Sequence, residues 1–157
     1  MSDVAVFVDG IKFNFRVSAL IENKGRYLLE KSIKTDFLNM PGGRVLAGES
    51  TLDAIKRELE EELKLENVAP KLIKISEQFF VFDNTRYHEL NFVYYVKLKN
   101  NNPLAQSDNI QNYDNQTQTM VWIKRNDLNK YKILPEFIYT IKKSRKISHL
   151  IKKEIEK

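Results

Sequence analysis

Gly43 to Leu65 reads GRVLAGESTLDAIKRELEEELKL, and the rest of the chain is organised around this stretch. Ser50 followed by Asp53 fits a capping box with Asp in the Glu role, so a helix is expected from there to Leu63. Leu52, Ile55, Leu59 and Leu63 form an apolar stripe at helical spacing. Glu58, Glu61 and Glu62 stand at i, i+3 and i+4 and share one face, in an arc beside that stripe rather than opposite it. Carboxylates bordering a buried stripe face a cleft, and a divalent cation relieves their mutual repulsion. Hard oxygen ligands select Mg²⁺ or Mn²⁺ over zinc or copper. Taken alone, the run reads more readily as a solvated acidic helix face, because Glu is a good helix former and short motifs often match by accident.

Upstream, Met40-Pro41-Gly42-Gly43 is a rigid bend, and three of the five glycines fall between positions 42 and 48. Val4 to Val8 is a strand candidate ended by the hairpin signal Asp9-Gly10. Phe13, Phe15, Val17, Ala19 and Ile21 alternate as in a half-buried strand, and Asn23-Lys24-Gly25 turns the chain into Arg26–Leu29. Downstream, Leu72–Phe82 and Tyr87–Leu98 read as two strands joined at Asp83-Asn84-Thr85. Residues 100–119 are polar and amide-rich and read as a long loop, and Met120–Lys124 as a last strand. Pro135 is expected to open a helix through Glu136–Ile141, and Ile147, Leu150, Ile151 and Ile155 suggest a further amphipathic helix. Strands, helix, strands, helix is a mixed order, which favours an α+β fold.

The chain has 157 residues, enough for one domain of ordinary size. No apolar run approaches the roughly 20 residues of a membrane span, and the N-terminus lacks the pattern of a secretion signal. The absence of cysteine excludes disulfides, thiolate metal sites and cysteine nucleophiles. A cytoplasmic location is the default expectation. The net charge of +5 is a property of the tail, because residues 141–157 hold seven basic and two acidic side chains while the body is balanced. A body without basic excess does not suggest a nucleic-acid surface over the whole domain.

The stretch from Gly43 resembles the Nudix box: Gly, five residues, Glu, seven residues, Arg-Glu-aliphatic, one residue, Glu-Glu, one residue, Gly, aliphatic. Gly43, Glu49, Arg57, Glu58, Leu59, Glu61, Glu62 and Leu65 fall on it. Pro41-Gly42 before the box, and Trp122-Ile123 and Leu134-Pro135 after it, are also similar to this family. One position departs. Lys64 stands where the family has glycine, and a lysine in the left-handed conformation there costs roughly 1 kcal/mol, so the helix is expected to run on to near Asn67.

The resemblance implies a mixed β-sheet sandwiched between helices, with a Nudix domain over 1–141; the tail's own apolar spacing and charge give the expected basic amphipathic helix over 142–157, packed on or extending from that domain. The resemblance also implies Mg²⁺-dependent hydrolysis, with Mn²⁺ as a substitute, of a nucleoside diphosphate linked to another moiety. Glu58, Glu61 and Glu62 are then expected to hold the ions together with a backbone carbonyl of the Gly42-Gly43 turn. Arg57 is expected to fix a metal-binding carboxylate and Glu49 to orient ligands from behind. The general base is expected at Glu61 or Glu62, with Glu89 as an outside candidate in an apolar strand. His88 reads as structural, and Asp108 and Asp114 as solvated loop acids. Of Phe80, Phe82, Tyr87, Tyr94 and Tyr95, one or two are expected to stack on a ligand and the rest to be core.

The expected partner is a small nucleotide, and the chain a monomer or homodimer. Two other readings stand beside this one. One is a nucleotide-binding regulatory module without turnover. The other is an RNA 5′-end pyrophosphohydrolase recruited through tail lysines such as Lys142, Lys143, Lys152 and Lys153.

Overall fold

The computed structural model describes residues 1–141 and 146–153. In chain order the strands are β1 (Ala5–Val8), β2 (Ile11–Asn23), β3 (Arg26–Ser32), β4 (Leu38–Asn39) and β5 (Gly42–Arg44), followed by helix α1 (Thr51–Leu63). β6 (Lys71–Phe82), β7 (Thr85–Lys97), the single-turn helix α2 (Pro103–Gln106), β8 (Ile110–Gln111), β9 (Gln118–Lys124), β10 (Ile133–Leu134) and β11 (Ser148–Lys153) complete it. Two 3₁₀ segments, Arg125–Lys130 and Glu136–Tyr139, lie between β9 and β11.

Three two-residue turns at Asp9-Gly10, Lys24-Gly25 and Asp83-Asn84 set the hairpin registers. Both central residues of each have positive φ, the geometry that matches the twist of the flanking strands. β2 is the spine. One edge runs parallel to β7 from Ile11 to Glu22, and the other is shared by β1, then β5 at Arg16–Ser18, then β3 at Ile21–Asn23. β2 and β3 therefore separate after three pairs, and β3 continues between β4 and β9. The sheet is mixed, in the order β10-β4-β3-β2-β7-β6-β11 along its main path.

Each face of the sheet has its own core. On one, Ile55, Leu59 and Leu63 of α1 pack with Val17, Ala19, Leu28, Tyr94 and Met120. On the other, Leu128 and Ile138 of the two 3₁₀ segments pack with Leu20, Leu29, Ile73 and Val93. The expected mixed sheet with covering helical segments is present, one cover being a long helix and the other two short turns.

Several local expectations are corrected. First, residues 148–153 form a strand parallel to β6 instead of the amphipathic helix expected over 142–157; residues 142–145 and 154–157 lie outside the described residues. Pairing there satisfies the open backbone edge of β6, and the β-branched Ile151 suits it. Second, the helix expected over Glu136–Ile141 is a 3₁₀ segment ending at Tyr139. Third, α1 stops at Leu63 because Lys64 takes the left-handed conformation at φ 53°. The Lys64 N–H then donates to the Glu60 carbonyl at 2.9 Å and the Leu65 N–H to that of Leu59 at 3.1 Å. Fourth, Leu52 is part-exposed, and Ala54 is buried with Ile55, Leu59 and Leu63. The loop over 100–119 also carries α2 and β8, and Met120–Lys124 is not the last strand.

Candidate active site

The site lies where β5 takes over the edge of β2. Gly42 has a φ of 144°, and a Cβ there would fall on the Val17 carbonyl, so only glycine lets the two strands close. Gly43 faces α1, and a Cβ there would occupy the position of the Glu58 carboxylate. The Gly42 N–H donates to Glu62 Oε2 at 3.2 Å, tying the turn to the last turn of the helix. Ser50 starts that helix: its hydroxyl accepts from the Asp53 N–H at 3.1 Å and donates to the Asp53 carboxylate at 2.7 Å.

The structure divides the three box carboxylates. Glu58 and Glu62 are buried, whereas the Glu61 side chain is 47% exposed on the rim. Arg57 links Glu58, Glu61 and Glu49. Its Nη1 donates to Glu58 Oε1 at 2.8 Å and to Glu61 Oε2 at 3.1 Å. Its Nε and Nη2 bind the two oxygens of Glu49 at 2.8 and 3.0 Å, a bidentate pair. Arg57 Nη2 also donates to the Arg44 carbonyl, and the Leu46 N–H donates to Glu49 Oε2, so Glu49 and Arg57 staple the glycine turn to the helix. This pairing holds the Glu49 carboxyl below its usual range.

Three residues that sequence reasoning missed complete the site: Glu30, Arg16 and Gln118. Glu30 on β3 is buried, lines the same cavity as Glu62, and its Oε1 accepts from Gln118 Nε2 at 2.7 Å. The signal was an acid inside the apolar run Tyr27-Leu28-Leu29-Glu30, where burial is the rule. Arg16 on β2 donates to the Gly42 carbonyl at 3.4 Å. Behind Glu62, Asn112 Nδ2 donates to Gln118 Oε1 at 3.0 Å and to Glu62 Oε1 at 3.5 Å. The Tyr113 N–H donates to the Glu62 carbonyl at 2.9 Å, so the polar loop is docked on the end of the helix.

Burial dominates the electrostatics. It pushes the Glu62 carboxyl up to about 8, with the neighbouring charges of Glu30 and Glu58 adding to it. It pushes Glu30 up to about 7, against the pull of Arg16. Glu58 is also raised, because burial outweighs its ion pair with Arg57. A positive charge among these groups would relieve all three. Among the described residues, however, no three carboxylates or imidazoles are already gathered tightly enough to grip an ion. Glu58 and Glu61 turn to Arg57, and Glu62 to the Gly42 N–H. The donor set of buried and rim carboxylates beside a glycine turn fits a hard divalent cation in its chemistry, and gripping one requires those carboxylates to turn.

The other candidates spread out. Glu89 on β7 lines the cavity but pairs in register with Asn14, four residues along β2 from the Ser18 that pairs with Gly42, an offset of about 13 Å. His88 stacks on Phe79 on the sheet face away from Glu89, at 4.3 Å between ring centroids. Asp108 borders a separate cavity, and Asp114 is exposed. Phe80 and Phe82 line the cavity, Tyr87 stacks on Phe80, and Tyr94 is buried with its hydroxyl 2.7 Å from Thr51 Oγ1. The Tyr95 hydroxyl donates to Glu22. Of the tail lysines, Lys152 pairs with Glu136 at 2.8 Å and Lys153 lies over the Phe79 ring, while Lys142 and Lys143 fall outside the described residues. No helix among the described residues is long and apolar enough to cross a membrane.

Beside the cavity a buried carboxylate pair is closed by a glycine turn and an Arg–Glu staple, and the family to which the chain belongs makes the protein a hydrolase acting on pyrophosphate bonds. The NUDIX domain family model matches residues 12–142, and the chain belongs to this family. Nudix hydrolases as a group require divalent metal ions. The fold is similar to that of the mutator MutT protein from Bacillus halodurans, at 17% identity and a TM-score of 0.59 over 87% of this chain and 89% of that one. It is similar to a Nudix-family hydrolase from Clostridium perfringens, at 18% and 0.57 over 81% and 92%. An ADP-ribose pyrophosphatase from Streptococcus suis is similar at 13% and 0.54 over 88% and 98%. No curated protein sequence matches the chain.

Proposed function

We propose that the protein hydrolyses the phosphoanhydride of a nucleoside diphosphate linked to another moiety, using Mg²⁺ or Mn²⁺. The observation that carries this reading is the burial of Glu58 and Glu62 against the Gly42-Gly43 turn, where their charge is unfavourable unless a cation shares it. Glu58 and Glu62 would hold the ion, with Glu61 and the Gly42 carbonyl at the rim. A bound divalent ion supplies neutralisation of the diphosphate and a more acidic water. Arg57, anchored bidentately by Glu49, keeps Glu58 and Glu61 in place while they exchange partners. Arg16 presents its guanidinium to the diphosphate oxygens beside Gly42. A box carboxylate takes the proton as the water oxygen bonds to phosphorus and the bridging oxygen leaves. The products are a nucleoside monophosphate and the phosphorylated second moiety. At about 13 Å along the strand, Glu89 belongs to the substrate's distal part.

The test is a panel of nucleoside diphosphate derivatives incubated with Mg²⁺ or Mn²⁺, with product identified by chromatography. At least one is expected to be cleaved, and EDTA to abolish it. Glu62→Gln is expected to lower that turnover by about a hundredfold or more without lowering the melting temperature. A panel with no cleaved member, or wild-type turnover in Glu62→Gln, overturns the proposal.

A further inference from the structure

The cavity that starts at Gly42 and Glu62 extends across the sheet face from β2 over β7 and β6 to β11, with a volume of about 390 Å³. Strand register places Asn14, Glu89, Gln78 and Lys152 in one transverse row, and Arg16, Asn91, Ser76 and Leu150 in the next. Residues directly opposite one another in adjacent strands point to the same face. Among the described residues, three buried side-chain atoms have no hydrogen-bond partner: Asn14 Oδ1, Ser76 Oγ and Gln78 Nε2. All three belong to these two rows. Gln78 lines the cavity, while Asn14 and Ser76 lie in the same two rows without lining it. Buried polar groups are almost always paired, so the unpartnered Gln78 Nε2 marks a donor that is satisfied from the cavity side. The Glu89 carboxylate, next to Gln78 in register, also has no hydrogen bond or ion pair among the described residues.

Charge and shape select the occupant. Among the described residues, Glu89 and Glu136 at this far end face a single ammonium, Lys152, which is already bound to Glu136 at 2.8 Å. The acidic excess disfavours a second phosphate or a sugar acid and favours a neutral group with N–H donors. The walls are aromatic. Phe37 and Phe82 meet edge to face at 6.3 Å, and Phe80 is braced by the stacked Tyr87. A planar heterocycle is the ligand such walls suit.

We propose that this far end is a nucleobase subsite in which Gln78 and Glu89 bind the base edge, and that β11, outside the family-matched segment 12–142, completes it. The inference rests on the diphosphate lying at the Glu62 end. Three strand spacings, about 14 Å, then separate β2 from β11 and leave room for ribose and base. The Glu89 carboxylate only accepts, so it takes an N–H of the base, while the Gln78 amide donates to the adjacent ring nitrogen or carbonyl. Ribose alone offers no such planar edge. Lys152 is a positioning residue. Its hold on Glu136 joins β11 to the 3₁₀ segment across the mouth and keeps Gln78 between β11 and β7.

The test measures binding of the four common nucleosides and of ribose to the full chain in EDTA, by NMR titration that follows the Gln78 side-chain amide. One nucleoside is expected to bind about tenfold or more tightly than ribose and to shift that amide. Glu89→Gln is expected to weaken it about tenfold and to change the ranking of the bases. Lys152→Met is expected to weaken it severalfold, and Lys152→Arg to restore it. Melting curves establish that the variants are folded. Ribose binding as tightly as every nucleoside, or an unchanged ranking in Glu89→Gln, overturns the subsite. Because no metal is present and nothing is cleaved, that failure leaves the hydrolysis reading intact. An uncleaved diphosphate panel would overturn the hydrolysis reading with base preference still in place.

Discussion

Helix α1 and strand β11 begin from similar patterns and end as different structures. Both segments space apolar residues at helical intervals: Ile55, Leu59 and Leu63 four apart in one, Ile147 three and four before Leu150 and Ile151 in the other. In α1 the spacing is matched by a Ser50 cap, by good helix formers and by a sheet face that buries Ile55 and Leu59 completely. In the tail, Ile147 and Ile151 remain more than half exposed, so a helix would have had almost no buried stripe to reward it. The unpaired edge of β6 offered a backbone ladder instead, and the segment took it. Periodicity is decisive only where a complementary surface waits for it.

The largest test of that contrast is truncation. Leu59→Ala is expected to cost about 2–5 kcal/mol in urea unfolding, the range for a fully buried leucine. Ile151→Ser, at 58% exposure, is expected to change stability by less than about 0.5 kcal/mol. Equal losses would break the contrast and show that the tail strand buries a core of its own.

Legibility followed sequence distance. Glu58, Glu62, Arg57 and Glu49 lie within 14 residues, and their spacing alone placed them near one another on one helix and the turn before it. Glu30, Arg16 and Gln118 reach the same cavity from three strands whose convergence depends on β2 parting from β3 after three pairs. No local pattern announces that fork. The three hairpin turns were readable because Asp-Gly, Lys-Gly and Asp-Asn name their own conformation. The division between buried Glu62 and exposed Glu61 was not, since adjacent residues on a helix part company according to what packs above them.

The two regions should also differ in how they respond to pH. Glu62 and Glu30 have folded values near 8 and 7, above the ordinary carboxylate value of 4.5. Both groups therefore hold protons more tightly folded than unfolded. The stabilisation this brings is complete below about pH 4.5 and is lost as pH rises through 7 and 8. In EDTA the melting temperature is expected to be about 5 °C or more higher at pH 6 than at pH 8.5. Glu62→Gln should shrink that difference, and added Mg²⁺ should shrink it too by favouring the ionised carboxylates. Lys152→Met should leave it intact, because the exposed Lys152–Glu136 pair contributes little to stability. A flat profile in the metal-free wild type would show that water, not protein, surrounds the site carboxylates.

The smallest effect concerns the boundary of α1. Lys64 ends the helix in the left-handed conformation, where a side chain costs roughly 1 kcal/mol relative to glycine. Its ammonium lies 5.5 Å from the centre of the Tyr113 ring, on the loop whose backbone is bound to the Glu62 carbonyl. That exposed contact returns about 0.5 kcal/mol. Lys64→Gly removes both terms and is expected to raise stability by about 0.5 kcal/mol, read from the urea midpoint at unchanged slope. Lys64→Val retains the strain, adds β-branching and lacks the ammonium, so it should lower stability by about 1 kcal/mol or more. Were glycine to destabilise instead, the contact with Tyr113 would outweigh the backbone strain. The lysine would then be holding the polar loop against Glu62 rather than merely tolerating its place at the end of the helix.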